Sequence, residues 1–322
     1  MPASVSGIHH VTAYAHDPQD SLDFYTGVLG LRLVKQTVLF NNPSEAFKGP
    51  TMYHFYFADA VGTPGTVMTL KPHPSIQQGQ VGRGQATATA FTIPDGAVDY
   101  WTDRLAAADA ATLYPTTERF GRTVIPFQDP DGQPLELIIG SSDIEPWADG
   151  PVPAEHAIRG FHGVTIHPDN VQHTARMLEV LGYEEVGHAP TPQDGDWTRF
   201  ESKGIDHGQF IDIYNEPNMH EGRWGYGTVH HVALRAKDDD HQQAIRAQLI
   251  EAGYSPTTMK DRNYFHSIYF RSPNGVNIEI ATDTPGFLHD EPADQLGTTL
   301  QLPPFLQDRR AEVEAQLADI TV

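Results

Sequence analysis

The stretch that decides the fold runs from Gly7 to Val34, GIHHVTAYAHDPQDSLDFYTGVLGLRLV. It reads as a short strand, an amphipathic helix ending at Leu-Gly, and a second strand. Leu22, Tyr25, Val28 and Leu29 recur at helical spacing, and Gly30 follows as the stop, since a residue without Cβ accepts the backbone turn that ends a helix. The plan returns in GFHGVTIHPDNVQHTARMLEVLGYEEV (160–186) and in GTVHHVALRAKDDDHQQAIRAQLIEAGYSP (227–256), where Gly253 is the stop. A second echo joins FQDPDGQPLELIIG (127–140) to FRSPNGVNIEIATD (270–283). Each sets Asp-Gly or Asn-Gly between strand-like runs, the signal of a β-hairpin. Arg119 and Arg262 precede the two hairpins at the same offset. Self-similarity of this kind marks a repeated supersecondary unit. The simplest parse is four βαβββ modules at about 7–72, 84–142, 159–216 and 227–283.

The modules are expected to pair into halves on either side of the Pro-rich EPWADGPVPAEHA (145–157). This gives a first domain over 1–150, a second over 151–290, and a tail over 291–322. The tail, with LPPFLQDRRAEVEAQLADI, reads as a turn and a terminal helix packed on the body.

Composition narrows the chemistry. Asp plus Glu outnumber Lys plus Arg by 42 to 21, a formal charge of -21. That argues against nucleic acid or an anionic membrane as partner, because both need basic patches. No apolar run is long enough to span a bilayer, and the N-terminus lacks the basic and apolar parts of a secretory signal. The expected location is cytoplasmic. With no cysteine in the chain, thiolate catalysis, disulfides and Cys-ligated metals are ruled out. Any metal must be held by carboxylates and some of the 17 histidines.

The His-His pair occurs twice, as His9-His10 and His230-His231. Strand neighbours point to opposite faces, so one member of each pair should face a cavity. The third module keeps only the first position, His162, and has Gly163 at the second. First-position histidines thus recur as a structural feature would, while His10 and His231 occur as a site would, with small Thr12 and Ala233 on the same faces. Glu279, between Ile278 and Ile280, offers a third ligand, because a carboxylate among core positions of a strand needs a partner. Glu136 has the same setting, but its companion strand QATATAFTI has no histidine. A hydrogen-bonded or rim-exposed acid is the better reading there. Two imidazoles and one carboxylate with open positions suit a non-haem Fe(II) enzyme, and Zn(II) with a bound water fits the same ligands.

With these residues in view, the sequence resembles the vicinal oxygen chelate superfamily. HHVTAYAHDPQDSLDFYTGVLGLRLV and HHVALRA…SPNGVNIEI are typical of its metal-bearing strands. The resemblance covers nearly the whole chain in module count and order. It implies an α+β fold of four βαβββ modules paired into two half-barrel-containing domains. Within the superfamily the chain looks most like the ring-cleaving hydroquinone dioxygenases of the dichlorohydroquinone and methylhydroquinone type, on the doubled His-His and the LPPFLQDRRAEVE tail. Carried over, that family's iron ligands fall on His10, His231 and Glu279, and its surrounding residues on His9, His230, Arg262 and Tyr269. The implied reaction is extradiol-like cleavage of a small aromatic diol with O2, using Fe(II), with Mn(II) compatible with the same triad. Tyr269 would hydrogen-bond an oxygen, Arg262 stabilise negative charge, and His230 move protons. Two rivals stay open: a glyoxalase I-like isomerase, for which GTVMTLKPHP (65–74) lacks the extra acid, and a sequestering protein of the bleomycin-resistance kind. Modules can pair within one chain or between chains, so a homo-oligomer also stays open.

Overall fold

The computed structural model describes residues 2–39, 52–109, 111–191, 195–272 and 275–322. The first module comprises β1 (Ile8–Ala15), α1 (Pro18–Leu22), β2 (Arg32–Val38), β3 (Tyr53–Ala58) and β4 (Val67–Pro72). The second comprises β5 (Gln85–Ile93), α2 (Val98–Ala107), β6 (Thr112–Leu113), β7 (Thr117–Arg119), β8 (Arg122–Gln128) and β9 (Pro134–Ile139). In the third are β10 (Phe161–His167), α3 (Val171–Val180), β11 (Glu184–Pro190), β12 (Asp196–Glu201) and β13 (Phe210–Asn215). The fourth holds β14 (Thr228–Ala236), α4 (Asp239–Glu251), β15 (Lys260–Asp261), β16 (Phe265–Arg271) and β17 (Asn277–Pro285). Three keep the expected βαβββ order, and the second has one further short strand, β7, after its helix. Pro273 and Asn274, in the expected hairpin before β17, lie outside the described residues.

Asp17, Asn170 and Asp238 start α1, α3 and α4, each accepting a backbone N–H of the first turn, which satisfies one of the donors a helix start leaves open. The first helix departs from plain α geometry. Beyond Leu22 it widens over Asp23–Val28, and Leu29 N donates to Phe24 O at 3.0 Å, five residues back. The wider turn buries the adjacent Phe24 and Tyr25 together, which regular helical spacing would rotate apart.

The strands form an eight-stranded sheet, β15-β16-β17-β14-β1-β4-β3-β2, and a nine-stranded sheet, β11-β12-β13-β10-β5-β9-β8-β6 with β7 added on β8. The first sheet is a half-barrel. Antiparallel seams join β1 to β14 and β10 to β5. The first module therefore pairs with the fourth and the second with the third, so both sheets cut across the sequential division at residue 150. A βαβββ module leaves its first strand with an open edge that must be covered, and local sequence does not say which copy will cover it.

Both seams are bulged. Between the pairs Ile8↔Leu234 and His10↔Ala233, β1 carries one extra residue, His9; between Thr12↔His231 and Ala13↔Val229, β14 carries one extra residue, His230. The second seam repeats this at His162 and Thr87. A bulge suspends strict alternation and re-aims side chains. The first-position histidines are bulge residues.

One apolar core cluster draws on all four modules, from Phe24 and Phe57 through Trp101 and Phe161 to Ile245 and Ile278. The tail packs on the first module. Leu302, Leu306 and Val313 pack on Val38, each burial being worth about 1.5–3 kcal/mol. Gln301 N donates to Gln36 O at 2.9 Å, and buried Lys35 meets Asp290 at 2.6 Å together with Glu291. The terminal helix, α5, is short, Arg310–Glu314.

Candidate metal centre

The inner face of the half-barrel brings His10 from β1, His231 from β14 and Glu279 from β17 together, all buried. His10 Nε2 lies 3.2 Å from His231 Nε2 and 3.6 Å from Glu279 Oε2, and His231 Nε2 lies 2.9 Å from Glu279 Oε2. Ligands at about 2.1 Å from one ion and at right angles stand about 3 Å apart. Glu279 Oε2 is buried and, among the described residues, has no hydrogen-bond partner, while Glu279 Oε1 accepts from Ser267 Oγ. Three electron-rich atoms turned toward one another, one of them an orphaned carboxylate oxygen, fit a divalent cation between them.

Protonation suits the same use. Burial takes the His231 imidazolium down to about 4, with Glu279 opposing. Burial pushes the Glu279 carboxyl up, but the facing His231 and His10 outweigh it and hold it well below the usual carboxylate range. The triad presents an ionised carboxylate with a neutral His231.

The bulged histidines stand behind the triad. His9 Nδ1 is 2.9 Å from His10 Nδ1, and His230 Nδ1 is 2.6 Å from His231 Nδ1. Burial, with His10 adding, holds His9 far below the ordinary imidazole range; burial, with Lys71 and His231 adding, does the same for His230. Each Nδ1–Nδ1 contact needs one ring to donate and the other to accept. With His10 and His231 donating from Nδ1, both Nε2 lone pairs are free for a cation and the ring orientation is fixed, as it is by the outer partners of metal-bound histidine. Replacing His9 with Ala should therefore weaken metal affinity roughly 10–100-fold with the fold intact. Competition against a fluorescent chelator measures this; an unchanged affinity would exclude the orienting role.

Arg262 and Tyr269 line the same cavity, of about 240 Å³, with His10, His230, His231 and Glu279. Arg262 Nε donates to Tyr269 OH at 3.0 Å, and the Tyr269 and His231 rings lie 6.0 Å apart. Burial raises the Tyr269 phenol and Glu279 adds to it, so the phenol keeps its proton. His9 is the one expected site residue that supports from behind the wall instead of lining the cavity.

Sequence reasoning missed part of the wall. Thr12, read only as a small neighbour, has its Oγ1 2.8 Å from His231 Nε2. From there a line of contacts runs through Thr69 and His54 to Tyr56, at 2.8, 3.1 and 3.1 Å. Tyr14 and Lys71 complete this side. The available signal was alternation: His54 and Tyr56, like Thr69 and Lys71, are polar residues two apart on strands whose other members are core.

The family model for the Glyoxalase/Bleomycin resistance protein/Dioxygenase superfamily matches residues 7–137 and 150–280. The chain belongs to this superfamily. It is 40% identical over its full length to the "Putative ring-cleaving dioxygenase MhqO" of Bacillus subtilis (strain 168), covering 99% of that protein. It is 32% identical to the "Chlorohydroquinone/hydroquinone 1,2-dioxygenase" of Sphingobium indicum, over 99% of this chain and 98% of the relative. A crystal structure of a "putative dioxygenase" from Bacillus subtilis superposes with a TM-score of 0.90 at 39% identity, covering 99% and 98% of the two chains. Maize glyoxalase I, at 14% identity, TM-score 0.63 and coverage of 86% and 92%, shares the fold.

The second sheet holds another superfamily cup without the histidine ligands. By register Gly163 stands where His10 does, Ala88 where His231 does, Glu136 where Glu279 does and Asp212 where Thr69 does. A Cβ on Gly163 would lie 2.4 Å from Phe210 O, so the backbone leaves no room for a side chain there. Arg119 donates to both oxygens of Glu136 and its Nε lies 3.1 Å from Asp212; Arg199 donates twice to Asp212 at 2.7 Å. Two guanidiniums neutralise the buried Asp212 and the half-buried Glu136. Glu136 is the hydrogen-bonded acid of the sequence reading, not a rim-exposed one.

Proposed function

We propose that the chain is an Fe(II)-dependent, ring-cleaving dioxygenase acting on a hydroquinone-type aromatic diol, with His10, His231 and Glu279 as metal ligands. The observation that carries this reading is the convergence of two imidazoles and one carboxylate, with Thr69 at the place related by register to Glu279. A hydroxyl there instead of an acid leaves a three-ligand site with open positions, the pattern of iron oxygenases, and speaks against a four-ligand isomerase. The names of the full-length relatives support the substrate class. When bound, iron would supply the positions at which a deprotonated substrate hydroxyl and O2 meet, and a path for electrons between them.

The chain's own groups would do the rest. Arg262 occupies the acceptor side of the Tyr269 oxygen, so the phenolic proton is free to donate to an oxygen in the cavity. The guanidinium adds a fixed positive charge where negative charge develops. His230, accepting from His231 at Nδ1, carries its hydrogen on Nε2 and can donate or relay it. Phe265, packed at a tilt against His10 with ring centroids 4.8 Å apart, closes one wall with an apolar ring. Changing Tyr269 to Phe should lower kcat roughly a hundredfold while metal content stays unchanged, read by oxygen-electrode kinetics beside metal analysis; loss of metal instead would assign Tyr269 a structural part. The reading itself is tested with isotopically labelled O2 and methylhydroquinone. Label in a ring-opened acid supports it, and recovery of an unlabelled product or unchanged diol from iron-loaded protein refutes it.

A further inference from the structure

The cavity contains a lysine that, among the described residues, makes no ion pair or hydrogen bond. Lys71 is 8% exposed and lines the cavity from β4. Among the described residues no carboxylate lies within ion-pair reach of its Nζ and no acceptor within hydrogen-bond distance. The protein's other buried cations are treated differently. Lys35, 0% exposed, has Asp290, Glu291 and the Tyr264 ring around it. Arg119 and Arg199 share Glu136 and Asp212. Burying a charge without a counter-charge is costly, so a chain that, among the described residues, pairs Lys35, Arg119 and Arg199 but leaves Lys71 open has left room for an incoming anion.

Position says where on a ligand that anion sits. Thr69 and Lys71 share one face of β4, level in the parallel register with Thr12 and Tyr14 of β1. The Thr12 level is that of the triad, since Thr12 Oγ1 touches His231. A strand advances roughly 7 Å over two residues, about the length of an aromatic ring with an oxygen at each end. The Tyr14 ring packs on His230 at 5.1 Å, giving this end an aromatic wall. The cavity sets two cations, Lys71 and Arg262, against one carboxylate before any metal charge, inside a chain of formal charge -21. Such a pocket focuses field on anions.

We propose that Lys71 binds an anionic oxygen at the end of the substrate ring remote from the metal ligands, and so selects rings that carry one. The anion is either the second hydroxyl, ionised, or a carboxylate substituent. This inference rests on the diol reading of the triad. It makes Lys71 a specificity-determining residue that the catalytic groups do not replace.

The test is equilibrium binding under nitrogen to the metal-loaded protein, followed by intrinsic fluorescence, since Trp224 lies 6.2 Å from His230. The probes are hydroquinone, 4-methoxyphenol, 2,5-dihydroxybenzoate and benzoate, with wild type, Lys71→Met and Lys71→Arg. The loss of a hydrogen bond to a charged group predicts a roughly ten- to hundredfold weaker affinity in Lys71→Met for probes with a second anionic oxygen. Lys71→Arg should retain binding, and 4-methoxyphenol should bind all three proteins alike. Weakening of 2,5-dihydroxybenzoate alone identifies a ring carboxylate as the anion; weakening of hydroquinone as well identifies the ionised hydroxyl. Equal affinities throughout, or equal loss for 4-methoxyphenol, overturn the proposal. If no phenol binds wild type yet benzoate binds and depends on Lys71, the anion site stands and the diol reading falls. If benzoate too is indifferent to Lys71, both fall.

Discussion

Changing Glu279 to Gln should abolish tight metal binding and lower the stability of the metal-free protein only modestly by comparison. The carboxylate is fully buried between Ile278 and Ile280, and one of its oxygens has no hydrogen-bond partner among the described residues. Without a cation its charge is met by the facing imidazoles of His231 and His10, which hold the carboxyl ionised in the fold, so the loss of that charge near neutral pH costs some stability. Gln keeps the shape and the acceptor for Ser267 and removes the charge. With a cation the difference grows. Binding to the native state alone stabilises by about 2.7 kcal/mol at a free concentration one hundred times Kd, and Gln would forfeit nearly all of it. Melting curves of both proteins, with chelator and with added Mn(II), separate the two effects. Wild type should gain several degrees with metal and the variant none. A variant that gains as much as wild type would remove Glu279 from the ligand set.

The second large effect lies in the cup without ligands. Arg119→Met should cost about 3–5 kcal/mol, the range for removing one partner of a buried ion pair. It strands Glu136, whose carboxylate Arg119 holds with two hydrogen bonds. Asp212 keeps Arg199 and is less affected. The double variant Arg119→Met, Glu136→Leu should recover most of the loss, because replacing both partners by apolar groups is often nearly neutral. Urea denaturation midpoints of the wild type, the single variant and the double variant give the answer. A single variant near wild type would mean water already solvates Glu136. Metal affinity should be unchanged in both, since the triad lies in the other sheet.

These two cups explain how much the sequence discloses. The triad was legible because a doubled His-His and a strand Glu between isoleucines are locally conspicuous, and Gly163 distinguished the two positions of the pair. The same comparison separated Glu279 from Glu136, whose companion strand offers Ala88 in place of a histidine. Strict alternation failed at His9 and His230, because each is the extra residue of a bulge. A bulge exists only relative to the partner strand, so neither His-His pair announces it alone. The pairing of first with fourth module showed only through the ligand set that joins His10 to His231 and Glu279, because the strand edges themselves are too alike to announce a long-range choice. Lys71, His54 and Tyr56 were passed over because polar residues alternating with apolar ones on a strand read as a solvent-facing side until the sheet's curvature makes that face a pocket. The widened turn at Asp23–Val28 escaped because Leu22, Tyr25, Val28 and Leu29 suit an α-helix equally well.

The most direct test of the central claim joins metal content to oxygen consumption. Protein purified under nitrogen should carry iron in stoichiometric amount at His10, His231 and Glu279, and should consume O2 on addition of hydroquinone or methylhydroquinone and not before. Zinc or nickel in the site with no substrate-dependent uptake, or protein that binds no metal at all, would contradict a ring-cleaving iron dioxygenase.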